Sequence, residues 1–161
     1  MLPEMASHRT GRPFPGSMAK RLQEEPRVNM ALPAGESLTI SGRAERVRVA
    51  RAFVAEILGA GHPWTDTAVL LVGELVANSV QHSDSSLPGQ TITVTATAGA
   101  DGLLVEVTDR SGAGLPVLRH DGQAESGRGL HLVDALADRW GCRQDGRRTT
   151  TWFELRAAST C

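Results

Sequence analysis

The sequence predicts an α+β fold, a two-layer sandwich with a mixed, mostly antiparallel sheet and helices on one face. Three observations predict it. Two amphipathic helical patterns, residues 44–58 and 65–82, come before any long strand pattern. Two hairpin patterns follow, 91–108 and 140–155. A shorter helical pattern, 130–137, lies between the hairpins. Hairpins pair antiparallel, and helices with one apolar stripe each must bury it against a common sheet face.

The elements follow in order. Residues 1–27 are rich in Pro, Gly, Arg and Ser without hydrophobic periodicity, so a disordered tail is expected there. A folded domain is expected over 28–157. Val28 to Leu32 reads as a first strand ended by Pro33, and Leu38 to Ser41 as a second. In the first helix Val47, Ala50, Phe53, Val54 and Ile57 keep helical spacing, while Arg43, Arg46, Arg48 and Arg51 leave a solvated face. Gly59-Ala60-Gly61 stops it. In the second helix Ala68, Leu71, Val72, Leu75, Val76 and Val80 form the buried stripe. Ser83 to Gly89 is a loop.

Thr91 to Ala98 alternates strictly, with Ile92, Val94 and Ala96 on one side and threonines on the other. Ala100-Asp101-Gly102 turns the chain into Leu103 to Thr108, and Asp109 falls at that strand's end. A long glycine-bearing loop follows. Trp140 to Gln144, Asp145-Gly146 and Arg148 to Leu155 make the second hairpin. Trp140 and Trp152 read as core or interface, and Cys142 as a small hydrophobe.

Composition narrows the function. The 161 residues allow one domain with a proper core, at net charge −1. The arginines are scattered among matching acids, and only six residues are aromatic, three Phe and three Trp. Neither a nucleic-acid surface nor a base-stacking platform is expected. Two cysteines make neither a disulfide framework nor a zinc site. There is no membrane-length apolar run and no secretory signal, so a cytoplasmic protein is expected.

Three separated segments need a common explanation. Glu74 and Asn78 stand one helical turn apart, with Gln81 and His82 on the same side. Asp109-Arg110-Ser111-Gly112-Ala113-Gly114 is an acid at a strand end followed by a flexible turn. Gly127-Arg128-Gly129-Leu130 is a glycine pair opening a helix. Singly, each has an ordinary reading: a solvated helix face, a turn-initiating aspartate, a loop-to-helix junction. Together they describe an ATP site. A helix N-terminus offers free N–H groups to phosphate, and glycines let it approach. The Asn78 carbonyl suits Mg²⁺, which prefers few protein ligands plus phosphate and water. A buried Asp109 carboxylate accepts hydrogen bonds from an adenine amino group, directly or through water. Glu74 is placed to polarise an attacking hydroxyl or water. His82 reads as structural support near the helix end. No Walker loop occurs.

The order E-x-x-x-N, D-x-x-G-x-G, G-x-G-L resembles the N, G1 and G2 boxes of the GHKL ATPases, which include gyrase, a heat-shock chaperone, histidine kinases and a mismatch-repair protein. The chain looks most similar to the small anti-sigma-factor serine/threonine kinases of actinobacteria, through A-R-A-F-V, G-E-L-V-A-N-S-V-Q-H-S and G-R-G-L-H-L-V-D-A-L-A-D-R-W-G. The resemblance covers roughly residues 28–156. It implies a Bergerat-type fold, with ATP under a lid at about 111–128. It implies Glu74 as base, Asn78 as Mg²⁺ ligand and Asp109 as adenine reader, with Ser111, Gly112, Gly114, Gly127, Arg128, Gly129 and Leu130 around the nucleotide. Its implied partners are a sigma factor and a STAS-type antagonist phosphorylated on serine, and a homodimer. One departure stands out: the usual G1 box has glycines two and four residues after the acid, where this chain has Ser111 and Ala113. That departure favours, as the alternative, a nucleotide-gated binding protein without kinase activity. A detached histidine-kinase catalytic domain fits less well, because no helical segment with a phosphorylatable histidine precedes the boxes.

Overall fold

The computed structural model describes Pro26, residues 35–110 and residues 128–157. The expected strand at Val28–Leu32 and most of the expected tail and lid lie outside the described residues. The elements are β1 (Glu36–Ser41), α1 (Val47–Leu58), α2 (Thr65–His82), β2 (Thr91–Gly99), β3 (Gly102–Arg110), α3 (Arg128–Leu136), β4 (Arg139–Asp145) and β5 (Arg148–Arg156). A 3-10 turn over Ala44–Arg46 leads into α1, and another over Asp84–Ser86 lies in the loop after α2.

The sheet order is β1-β2-β3-β5-β4. Every pairing among the described residues is antiparallel, in keeping with the expected mostly antiparallel sheet. The reason is topological. β3 and β4 run the same way, but β5 lies between them, and β2 likewise separates β1 from β3. The hairpin turns are short: Gly99 pairs with Gly102, and Asp145 with Arg148. Gly146 takes φ +55°, a conformation that costs a residue without Cβ little.

The period-two rule divides the sheet into faces. Ile40, Ile92, Val94, Ala96, Leu103, Val105, Val107, Trp140, Phe153 and Leu155 point at the helices. There they form one core with Ala50 and Val54 of α1, Leu71, Val72, Leu75 and Val76 of α2, and Leu130 and Val133 of α3. Val80 packs against this core half-buried. α1 and α2 fill out the helical layer because each carries the apolar stripe read from its spacing. The opposite, outer face carries Thr91, Thr93, Thr95, Thr97, Glu106, Thr108 and Arg148, which fits the alternation read in β2.

Candidate functional site

Helix α2 is the hub of the site. Its apolar stripe is sunk in the core, which leaves Glu74 and Asn78 half-buried at the helix flank. Helix α3 packs against α2. Gly129 sits in the first turn of α3, and a Cβ built on it would stand 2.7 Å from Glu74 Oε2 and 3.4 Å from Glu74 Cβ. A side chain here would push the carboxylate end of Glu74 aside, so glycine lets the α3 backbone lie against it undisturbed. Leu130, only 3% exposed, anchors the same turn in the core. The unpaired N–H groups and positive end of α3 are thus held beside Glu74, one turn from Asn78. Arg128 begins α3, but its side chain lies outside the described residues, as do Ser111, Gly112, Gly114 and Gly127.

Asp109 reaches α2 from the sheet. It lies within β3 rather than at its end, because pairing with β5 continues through Asp109↔Thr149 to Arg110↔Arg148. Its parity with Leu103, Val105 and Val107 turns it toward the helices. There it shares a side-chain hydrogen bond with Ser79, which is 5% exposed and next to Asn78 in sequence. Burial pushes the Asp109 carboxyl up from its ordinary 3.8 to about 6, and the Ser79 hydrogen bond partly offsets the rise.

Ser79 was missed in the sequence. It stands four residues after Leu75 and three after Val76, on the buried side of the helix. A small polar residue on an otherwise apolar stripe is the signal that points to it, since a buried hydroxyl needs a partner. The loop after α2 fixes this end. Ser83 Oγ donates to the Ser79 carbonyl at 2.5 Å and accepts from Ser85 N–H at 3.0 Å. Ser85 Oγ accepts from Arg110 N–H at 3.2 Å and donates to the Thr91 carbonyl at 3.4 Å. The hydrogen bonds that close α2 are therefore made by serines of the loop. His82, the expected support, is exposed.

A polar cavity of about 320 Å³ opens on the outer face at this end of the sheet, lined by Thr91, Thr93, Thr108, Arg110, Arg147 and Arg148 among others. Asp109 also borders it, while its carboxyl group hydrogen-bonds Ser79 on the helical side. Among the described residues no group of three His, Cys, Asp or Glu side chains is placed to hold a metal ion. No helix among them is long and apolar enough to cross a membrane.

Residues 40–155 match the family model of the histidine kinase-like ATPase domain. No curated protein matches the chain. A solved structure, the RsbU and RsbW domains of Rv1364c from Mycobacterium tuberculosis, is similar with a TM-score of 0.56 and 24% sequence identity. The match covers 75% of this chain but 32% of that one, and at this identity it speaks for the fold.

Proposed function

The chain belongs to the histidine kinase-like ATPase domain family, and on that premise we propose that it binds Mg-ATP and serves as an anti-sigma factor with serine kinase activity. One observation supports the reading above the rest: α2 brings Glu74 to the first turn of α3 and Ser79, beside Asn78, to Asp109. Three segments far apart in sequence thus meet on α2, Gly129 at the Glu74 flank and Asp109 at the buried Ser79 side.

Each residue then has a task. Asp109 accepts a hydrogen bond from the adenine amino group, and Ser79 orients the carboxylate and favours its ionised form. The phosphates lie at the N-terminus of α3, where Gly129 leaves its backbone open. Asn78 would hold Mg²⁺ by its carbonyl oxygen, the ion offsetting phosphate charge during transfer. Glu74 accepts the proton of the attacking serine hydroxyl. The partners of this reading are a sigma factor and a STAS-type antagonist carrying that serine, and the protein works in the cytoplasm as a dimer.

Ser111 and Ala113 at the two usual glycine positions favour a second reading, a nucleotide-gated binding protein without phosphoryl transfer. Purified protein with γ-labelled ATP and candidate antagonists separates the two. Label on an antagonist serine, lost in Glu74→Ala, is expected for the kinase. A thermal shift with Mg-ATP but no transfer to any candidate leaves the second reading. No shift at millimolar Mg-ATP overturns both, because a ligand bound only by the folded state must stabilise it.

A further inference from the structure

Charge on the outer face of the sheet is paired along β4 and unpaired at one end. Arg143 donates to Glu106 at 2.7 Å, and Arg139 lies 3.6 Å from Glu154. At the end beyond Arg143, Arg110 of β3 and Arg148 of β5 are direct cross-strand partners, both on the outer face by parity. Arg147 stands beside them in the hairpin turn, after Gly146. Among the described residues no carboxylate forms an ion pair with any of these three arginines. Asp145, opposite Arg148 on β4, is exposed and makes none. Like charges directly opposite each other on paired strands destabilise a sheet. The turn adds a third.

The same three arginines line the cavity of about 320 Å³. Thr91, Thr93 and Thr108 supply hydroxyl groups to its walls. Thr93 pairs with Thr108 across β2 and β3, and Thr108 Oγ1 shares a hydrogen bond of 2.9 Å with Thr150 Oγ1. The backbone that carries Arg110 is fixed, because its N–H donates to Ser85 Oγ. No apolar side chain of the described residues lines the cavity.

We propose that this cavity binds a small molecule bearing phosphate. A guanidinium group matches phosphate oxygens two at a time, and a threonine hydroxyl donates to another. Three arginines carry more charge than one carboxylate cancels, whereas each phosphate group brings about −1.5 to −2. The volume falls at the lower end of small-molecule sites, and the polar walls disfavour an apolar ligand. β2, β3 and β5 are interior strands of the sheet, so no free strand edge is offered here to the backbone of a peptide. Arg110 and Arg148 stand on the face opposite the helices that carry Glu74, Asn78 and Gly129. The phosphate they hold is therefore additional to those of the nucleotide proposed at α3.

The test follows the arginine Nε–H signals of the whole chain by nuclear magnetic resonance at constant ionic strength. Each signal is identified by its loss in Arg110→Gln, Arg147→Gln or Arg148→Gln. The probe is pyrophosphate, without nucleotide or magnesium. All three signals should shift together and saturate at one equivalent. Arg110→Gln and Arg148→Gln should each weaken binding at least tenfold, and inorganic phosphate should move the same signals with lower affinity. Without probe, Arg148→Gln should melt no lower than the native chain, since it ends the opposition of like charges. Shifts that grow without saturating, or an affinity unchanged in the arginine variants, would overturn the proposal. So would shifts confined to the first turn of α3, an outcome that leaves the ATP reading standing. A phosphoserine peptide or a DNA oligonucleotide that moves these signals with at least tenfold higher affinity than pyrophosphate would also overturn it, by making the ligand a macromolecule.

Discussion

Lowering the pH should weaken ATP binding in a way set by one carboxyl group. Asp109 faces α2 with its carboxyl group raised to about 6. An adenine amino group donates best to the ionised form. The apparent Kd therefore grows by the factor 1 + 10^(pKa − pH), about 11-fold at pH 5, or about 1.4 kcal/mol. Near pH 8 the effect vanishes. Ser79→Ala removes a hydrogen bond that favours the ionised form. A bond to a charged group contributes about 1.5–3 kcal/mol when buried, which after screening at this partly open site moves the midpoint up by about one unit. Calorimetric titration with Mg-ATP between pH 5 and 8 measures both effects. ATP's own phosphates titrate nearby, so Asp109→Asn is the control: it should bind more weakly at pH 8 and lose the Asp109 step. A wild-type profile that superimposes on the Asp109→Asn profile, step for step, would refute the assignment. Folding carries the opposite sign. Between about pH 4 and 6 the folded chain holds more protons than the unfolded one, so stability without nucleotide falls as pH rises through that window. Asp109→Asn should then raise Tm at pH 7 while impairing ATP binding.

Further outcomes follow from packing. On the proposed kinase reading, Gly129→Ala should cut phosphoryl transfer at least tenfold, because its Cβ lands 2.7 Å from Glu74 Oε2; denaturant unfolding should change by only about 1 kcal/mol, since alanine favours the helix. Phe153→Ala removes a fully buried ring from the core and should cost about 3–5 kcal/mol in the same unfolding assay. Cys142 is buried with its thiol pushed up to about 11 by desolvation. In a Cys161→Ser background a thiol reagent at pH 7.5 should therefore leave the native protein unlabelled and react only on unfolding. Ser85→Ala removes the acceptor of Arg110 N–H and should lower stability by about 1–2 kcal/mol, with weaker ATP binding through the adjacent Asp109.

Much of this was legible in the sequence because period and position are local. Helical spacing placed Leu71, Val72, Leu75 and Val76 inside and left Glu74 and Asn78 at the flank; strict alternation gave β2 its faces. The glycine at 129 was readable as a close approach, though only the fold shows that what approaches is Glu74. What stayed hidden depends on pairing between distant segments. The direction of each strand is one such feature, because the position of β5 between β3 and β4 is a property of the sheet. Ser79 is hidden because its partner, Asp109, is thirty residues away in sequence, one residue beyond the alternating pattern of Leu103–Thr108. Carrying the alternation from Leu103 through Val105 and Val107 to Asp109 turns the acid toward the helices, where a hydroxyl on the apolar side of α2 is its natural partner. The same parity separates the two tryptophans. Trp140 shares the helical side with Phe153, whereas Trp152 and Glu154 fall on the outer side. A fully buried tryptophan beside a fully buried glutamate is the reverse of what a solvated sheet face carries.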